Sequence, residues 1–202
     1  MTGSNFSPTA CRLQAAGCLC LRRCLGSAFG GDVHLDLRSD LAVQTDRKDV
    51  QLLSLENPQQ IPAFDYPKEY SRKSPKFSRA MAIRIGDHLT TWVSGTASIV
   101  DAETVFKDDA AKQTEQTLEN IEKLIAADNF ARQGWEDCGA TLADLAKVRV
   151  YVKNAEDFDA CRTVCERILA RIPAIYAQAD VCRPDLLVEI EGVAFSQIAR
   201  RV

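Results

Sequence analysis

The chain has 202 residues, an apolar fraction of 46% and a formal net charge of -3 at pH 7. These values are typical of one globular domain, with or without a tail, and they give no reason to expect nucleic acid or an acidic membrane surface as a partner. No stretch of the sequence is long and apolar enough to suggest a membrane span.

The cysteines bear on the compartment in which the protein works. They are Cys11, Cys18, Cys20, Cys24, Cys138, Cys161, Cys165 and Cys182. A secreted disulfide framework is denser and shorter than this chain, so we expect free thiols in a reducing, cytoplasmic compartment. Apart from Cys182, packing as a small apolar side chain is the simplest interpretation.

Residues 1–50 are predicted to be a poorly ordered segment outside the core fold, because periodic apolar positions are few and glycines recur. Residues 18–24 are rich in cysteine, but no second ligand pair matches them, so no metal site is expected. A signal peptide and lipidation of a cysteine are alternatives, and the arginines inside the apolar stretch argue against the signal peptide. Residues 51–76 are predicted to be a linker packed on the domain, with a short strand around residues 52–55.

Regular structure is predicted to start at Phe77 and to occupy residues 77–202. Residues 77–85 and 89–94 alternate as two strands around a Gly86-Asp87 hairpin turn. The second strand ends in the small residues SGTAS, from Ser94 to Ser98, which permit close approach by a ligand or a neighbouring backbone.

Two amphipathic helices are predicted next. The first covers residues 108–127, and Asp108 or Asp109 can cap it. Its buried stripe is Thr114, Leu118, Ile121 and Ile125. A long connection over residues 128–145 and a strand over residues 147–153 lead to the second helix, which begins near Phe158 and is predicted to end at Pro173.

Residues 173–195 are predicted to form two strands joined by a short turn at Arg183-Pro184-Asp185. In the second strand, Glu189 and Glu191 point to the same side of an otherwise apolar segment. Two like charges side by side repel each other unless a cation or a ligand faces them, so we look for chemistry here first. A catalytic role for Glu189 and an ion pair between Glu189 and Arg149 are both open on the sequence pattern.

The element order is β-β-α-β-α-β-β, which predicts an α+β fold with a mixed sheet and two helices packed on one face. The helices are expected to cover the three valines of the strand at residues 147–153. The opposite face would carry Arg149, Tyr151, Glu189 and Glu191, as a cleft or as an interface between subunits.

From residue 77 to residue 194 the chain resembles the RidA/YjgF family, through SGTAS, AKQTEQTLENIEKLI, KVRVYVKNAEDF and LVEIEGVA. Within that superfamily it looks most like the C-terminal domain of chorismatases, through ENPQQIPAFDYPKEYSRKSPKFSRA, DNFARQGWEDCGATLADLAKVRVYVK and IYAQADVCRPDLLVEIEGVAF. The resemblance implies a RidA/YjgF-like (chorismate-mutase-like) fold, a homotrimer with active sites between subunits, and no cofactor. Chorismatases carry a further N-terminal domain, which residues 1–49 do not resemble, so we expect a pocket without that domain's contribution.

The same resemblance implies roles for individual residues. Glu189, the first glutamate of the E-I-E motif, would protonate the enol ether of chorismate so that water can release pyruvate. Cys182 matches a position that is linked to the product formed. In RidA proteins an arginine after Pro-Ala holds the substrate carboxylate, but Ile175 stands there in this chain, which argues against imine or enamine hydrolysis.

The substrate would be a dicarboxylate, so at least one arginine should meet it, with Arg79 as first choice. The expected substrate-binding residues are Arg79, Gly95, Thr96, Arg149, Tyr176, Gln178, Cys182 and Arg183. Strict alternation puts Tyr176 on the active face, whereas the match to the RidA arginine puts Ile175 there, and both cannot hold without a bulge. Three functions are weighed: chorismatase-type cleavage, RidA-like deamination, and small-molecule binding without turnover, since a fold alone does not imply activity.

Overall fold

The computed structural model describes residues 34–36, 42–44, 49–62, 65 and 77–198. Most of residues 1–50, including the four N-terminal cysteines, lies outside the described residues, so the predicted poor order there stays a prediction. The described parts of this segment are Asp49, Val50 at the start of the strand Val50–Leu55, and one antiparallel ladder. That ladder pairs β1 (His34–Asp36) with β2 (Ala42–Gln44).

A six-stranded mixed sheet forms the centre of the described fold, in the order β3-β4-β5-β10-β8-β9. Neighbouring strands are antiparallel except for β8 and β9, which are parallel. A separate small ladder consists of β6 and β7. The strands are β3 (Val50–Leu55), β4 (Ala80–Ile85), β5 (His88–Ala97), β6 (Ile99–Val100), β7 (Glu103–Thr104), β8 (Leu145–Val152), β9 (Ala174–Gln178) and β10 (Val188–Gln197).

Three α-helices lie in the described region: α1 (Ala110–Ile125), α2 (Ala127–Arg132) and α3 (Phe158–Leu169). The predicted cap of α1 is confirmed, because the Asp109 side chain accepts a hydrogen bond from the Lys112 backbone N–H at 2.9 Å. The predicted apolar stripe of α1 is fully buried. None of the helices in this part of the chain is both long and apolar enough to cross a membrane.

The core lies between the sheet and the two long helices α1 and α3, as the predicted fold class requires. On the sheet side it is made of Val148, Val150, Val152, Val188 and Ile190, none of which has any exposed surface. Burying a valine or isoleucine side chain contributes roughly 1.5–3 kcal/mol, so this layer of β8 and β10 anchors the strands that carry the polar residues of the opposite face.

Three predictions about elements were wrong in detail. The long connection after α1 is partly helical, because it contains α2. The helix α3 ends at Leu169 rather than at Pro173, because Ala170 adopts a positive φ of 51° and leads the chain out of the helix. The predicted strand at residues 77–85 begins only at Ala80.

The last two strands are also arranged differently from the prediction. They do not pair with each other across a short turn: residues 179–187 form a nine-residue connection between β9 and β10. β10 lies between β5 and β8, while β9 is an edge strand parallel to β8. A parallel pair needs a long crossover, and α3 supplies it.

Candidate active site

Strand β10 presents Glu189 and Glu191 on the face of the sheet opposite the helices. On the neighbouring strand β8, Tyr151 is the register partner of Glu189 and Arg149 is the register partner of Glu191. Residues directly opposite each other in an antiparallel pair lie on the same face. The four polar residues predicted to share one face therefore do so.

Glu191 is the paired carboxylate of this group. Its Oε1 forms an ion pair with Nε of Arg149 and accepts a hydrogen bond of 2.7 Å from the Tyr151 hydroxyl. Burial, followed by the hydrogen bond to Glu191, raises the pKa of Tyr151 to about 12, so the phenol keeps its proton and stays a donor. The predicted alternative of an ion pair between Arg149 and Glu189 is not what the structure shows, since Arg149 is turned to Glu191.

Glu189 is the unpaired carboxyl. It is partly buried, and no hydrogen bond or ion pair involves it within the described part of the chain. Burial raises the pKa of Glu189 above its ordinary value, and the negative charge of Glu191 raises it further. A carboxyl of this kind retains its proton at a higher pH than an exposed glutamate does, which is the property a general acid needs.

A β-bulge in β5 makes room for the Glu189 carboxyl. Ile190 is opposite Thr96 and Gly192 is opposite Val93, so β5 has one more residue than β10 between these two pairs. The extra residue lies at Ser94-Gly95. A Cβ atom on Gly95 would lie 2.0 Å from Oε1 of Glu189, so the carboxyl occupies the space that any other residue would fill.

Cys182 lies in the connection between β9 and β10, close to Glu189. The residue keeps exposed surface, but protein atoms surround much of its thiol. This burial is the main cause that raises the pKa of the thiol, and the charge of Glu189 is the second. The charges of Arg183 and Arg79 act in the opposite direction. Glu189, Arg183 and Arg79 are therefore each within electrostatic reach of Cys182.

The two arginines of this group are both buried. Arg79 is 4% exposed, donates to the Ile61 carbonyl at 3.4 Å and has its guanidinium carbon 5.9 Å from the ring centre of Phe77. Arg183 is 8% exposed and donates to the Ala102 carbonyl at 2.6 Å, so its charged group holds the connection to the small β6-β7 ladder.

The structure does not bring three of the predicted residues to Glu189. Tyr176 and Gln178 are register partners of Val150 and Val152, which places them on the helix side of the sheet. Tyr176 packs against the core, with Arg162 over its ring at 5.4 Å. Thr96 is also on the helix side, and its buried hydroxyl donates to the Ser94 carbonyl at 3.0 Å.

The same register settles which residues of β9 share the face of Glu189. Ile175 and Ala177 pair with Arg149 and Tyr151, so they lie on the open face. The alternation that favoured Tyr176 counted continuously from Cys182, but residues 179–187 are not a strand and carry no period of two.

Two residues that bond to the carboxyl pair or to the connection before β10 were not among the predicted site residues. Tyr151 was placed on the correct face, but its bond to Glu191 depends on strand register. Gln113 on α1 is buried and bonds to the connection before β10. A spacing of four, three and four residues along α1 could have indicated it, because it is shared by Gln113, Thr117, Asn120 and Leu124, all of which are buried.

In the residues that the structure describes, no three or more His, Cys, Asp or Glu side chains are arranged to hold a metal ion. The arrangement has the parts of a proton-transfer site: one carboxyl without a partner in the described chain, one compensated carboxylate beside it, and a nearby thiol and guanidinium.

Comparisons with known proteins show what the chain is similar to. The model of the family described as Endoribonuclease L-PSP matches residues 72–196. A 3-hydroxybenzoate synthase of Streptomyces hygroscopicus is 43% identical over 69% of this chain and 42% of its own length. A chorismatase of Streptomyces rapamycinicus is 41% identical over 70% of this chain and 43% of its own length.

A solved chorismatase structure gives a TM-score of 0.67 at 35% identity, over 71% of this chain and 44% of the other. The chain thus spans less than half the length of the relatives it matches.

Proposed function

The chain belongs to the Endoribonuclease L-PSP (RidA/YjgF) family, and we propose that it is a chorismatase-like enzyme that cleaves the enol ether of chorismate and releases pyruvate. The observation that carries the proposal is Glu189: a carboxyl without a partner in the described chain, with a raised pKa, held over Gly95. The similarity to proteins named chorismatase and 3-hydroxybenzoate synthase supplies the substrate class.

The proposed reaction begins with transfer of the Glu189 proton to the terminal CH₂ carbon of the enolpyruvyl group. The ether carbon becomes positively charged and is attacked by water, which returns a proton to the Glu189 carboxylate. In the hemiketal so formed, the new hydroxyl gives up its proton, the ring oxygen takes up a proton, and the bond between the carbon and the ring oxygen breaks, giving pyruvate and a dihydroxy-dihydrobenzoate. Loss of a water molecule from the ring product would give a hydroxybenzoate instead.

The nearby charges suit this reaction. Glu191 keeps its own charge compensated through Arg149 and Tyr151, and it disfavours a second negative charge on Glu189. Arg79 is the proposed partner of a substrate carboxylate, because its charge acts on Cys182 beside Glu189. Its Nε lies 3.8 Å from the Glu56 carboxylate, so the substrate would share the guanidinium with Glu56 or replace it. Removing a positioned general acid costs about 10²–10⁴-fold in rate, which sets the scale for testing Glu189.

RidA-like deamination of imines or enamines is the competing function within the family. Ile175 is 61% exposed on the face of Glu189 and provides no cation for a substrate carboxylate. Hydrolysis of 2-aminoacrylate by the purified protein would support deamination. Calorimetric binding of chorismate with no product formed would support a binding module.

The experiment that tests the proposal measures pyruvate release from chorismate, coupled to NADH oxidation by lactate dehydrogenase. We expect the 202-residue chain to release pyruvate, Glu189→Gln to lose about 10²–10⁴-fold of the rate, and the exposed α1 control Glu122→Gln to keep it. No pyruvate from the unmodified chain, or an equal rate in Glu189→Gln, would overturn the proposal.

The proposal extends to assembly and location. The open face has exposed apolar side chains at Ile175 and Phe195, 61% and 56% exposed, which suits burial between subunits of a homotrimer. Sedimentation velocity would give the mass of the assembly. The free thiols Cys138, Cys161, Cys165 and Cys182 suit a cytoplasmic location, which cell fractionation would test.

A further inference from the structure

Gln113 joins helix α1 to the connection that leads into β10. Its Nε2 donates to the Asp185 carbonyl at 2.9 Å and to the Phe106 carbonyl at 3.2 Å, and its Oε1 accepts from the Leu187 N–H at 2.8 Å. The side chain has no exposed surface. Both ends of a buried amide are thus used, and two of the three bonds hold residues on either side of Leu186.

The same connection is attached on its other side to the small β6-β7 ladder and the turn after it. The Asp185 carboxylate accepts from the Thr104 hydroxyl at 3.0 Å and pairs with Lys107 at 3.0 Å. The Arg183 guanidinium donates to the Ala102 carbonyl at 2.6 Å. Residues 179–187 belong to no strand, so these bonds fix the segment in place of a sheet ladder.

This connection carries Cys182 and ends two residues before Glu189. Of the groups around the thiol, Glu189 raises the pKa of Cys182, whereas Arg183 and Arg79 lower it. The effect of the Glu189 charge on the pKa of the Cys182 thiol therefore depends on where the connection lies.

We propose that Gln113 is a positioning residue, which fixes Cys182 against Glu189 by clamping the backbone at Asp185 and Leu187. Its relevance to catalysis rests on the proposed function, but its effect on the thiol does not. Without the clamp, two backbone groups of the connection lose their partners and the segment opens more often. Cys182 then spends less time beside Glu189.

The test measures the alkylation rate of Cys182 by iodoacetamide between pH 7 and pH 10, followed on its tryptic peptide by mass spectrometry. It compares the full chain with Gln113→Met, each with and without Glu189→Gln. The matched control is Gln116→Met on the same helix, since within the described residues the Gln116 side chain bonds to the side chain of Asn120 and not to the connection.

In the unmodified chain and in Gln116→Met, Glu189→Gln is expected to lower the pKa of the thiol, because a neighbouring negative charge is removed. In Gln113→Met this response is expected to be lost, and kcat for pyruvate release to fall with little change in KM. A lower Tm with the response to Glu189→Gln intact would overturn the proposal and leave Gln113 as a packing residue.

Gln113→Ala is the second variant, for the case in which Gln113→Met does not fold. It removes the donor to the Asp185 carbonyl and the acceptor for the Leu187 N–H without adding bulk or charge, so the same loss of response is expected. If the unmodified chain releases no pyruvate, the thiol measurement still decides on Gln113, and only the proposed function falls.

Discussion

The two faces of β8 and β10 are built from alternate residues of the same strands, but they behave as different regions. On the helix side, Val150 and Ile190 face each other with no exposed surface. One residue along each strand, on the open side, Tyr151 and Glu189 face each other and remain partly accessible. Neighbouring positions thus serve either packing or chemistry, according to the face on which they lie.

A second contrast lies within the open face itself. Glu191 is compensated by Arg149 and Tyr151, whereas Glu189 is held over Gly95 with no partner in the described chain. Leaving a partly buried carboxyl unpaired is unfavourable for its ionised form. The site therefore favours the protonated form of one carboxyl through the fixed charge of the other.

The largest expected effect on stability separates the two faces. Ile190→Ala should lower the free energy of unfolding by about 2–5 kcal/mol, because it leaves a cavity between the sheet and the helices. The control Ile175→Ala, whose side chain is 61% exposed in the single subunit, should cost clearly less even when it lies between subunits, because no closed core surrounds it. Urea denaturation measures both, and equal losses would mean that the two faces are not distinct in packing.

Substitution of two glycines tests the same difference between the two faces. Gly95→Ala should reduce pyruvate release by about 10²-fold, because the new Cβ displaces the flexible Glu189 carboxyl. Gly192→Ala should act mainly on stability, because its Cβ would lie 3.1 Å from the Lys147 carbonyl oxygen in β8. Kinetics and thermal denaturation of both variants test this. Loss of activity without loss of stability in Gly192→Ala, or the reverse in Gly95→Ala, would contradict it.

The smallest expected effect concerns pH. The charge of Glu191 favours the protonated form of Glu189, so Glu191→Gln should lower the pKa of Glu189 and move the alkaline limb of the kcat/KM profile to lower pH. Burial is the larger cause of the raised pKa and persists in the variant, so the limb should stay above the ordinary glutamate range. A limb that moves to higher pH would show that Glu191 acts in another way.

The buried residues on the helix side of the sheet could be predicted from the sequence, because the periodicity that identifies them lies within a single strand or helix. The period of two in Val148, Val150 and Val152, and the helical period from Thr114 to Ile125, each indicate a buried side without knowledge of any partner. The carboxyl pair on β10 followed from the same alternation.

The partners on the open face could not be predicted, because they depend on register between distant segments. The antiparallel register of β8 against β10 decides that Arg149 meets Glu191, and the parallel pairing of β9 with β8 decides that Tyr176 turns to the core. A shift of one residue would move each side chain to the other face, and no local pattern excludes that shift.

The contrast between the two carboxyls is tested most directly by their titration. The side-chain carboxyl carbons of ¹³C-labelled glutamate would be followed by NMR from pH 3 to pH 9, in the unmodified chain, in Glu189→Gln and in Glu191→Gln. We predict one carboxyl that titrates above the ordinary glutamate range, that is missing in Glu189→Gln, and that titrates at lower pH in Glu191→Gln. A Glu189 carboxyl that titrates at or below the ordinary glutamate value would contradict its role as the proton donor.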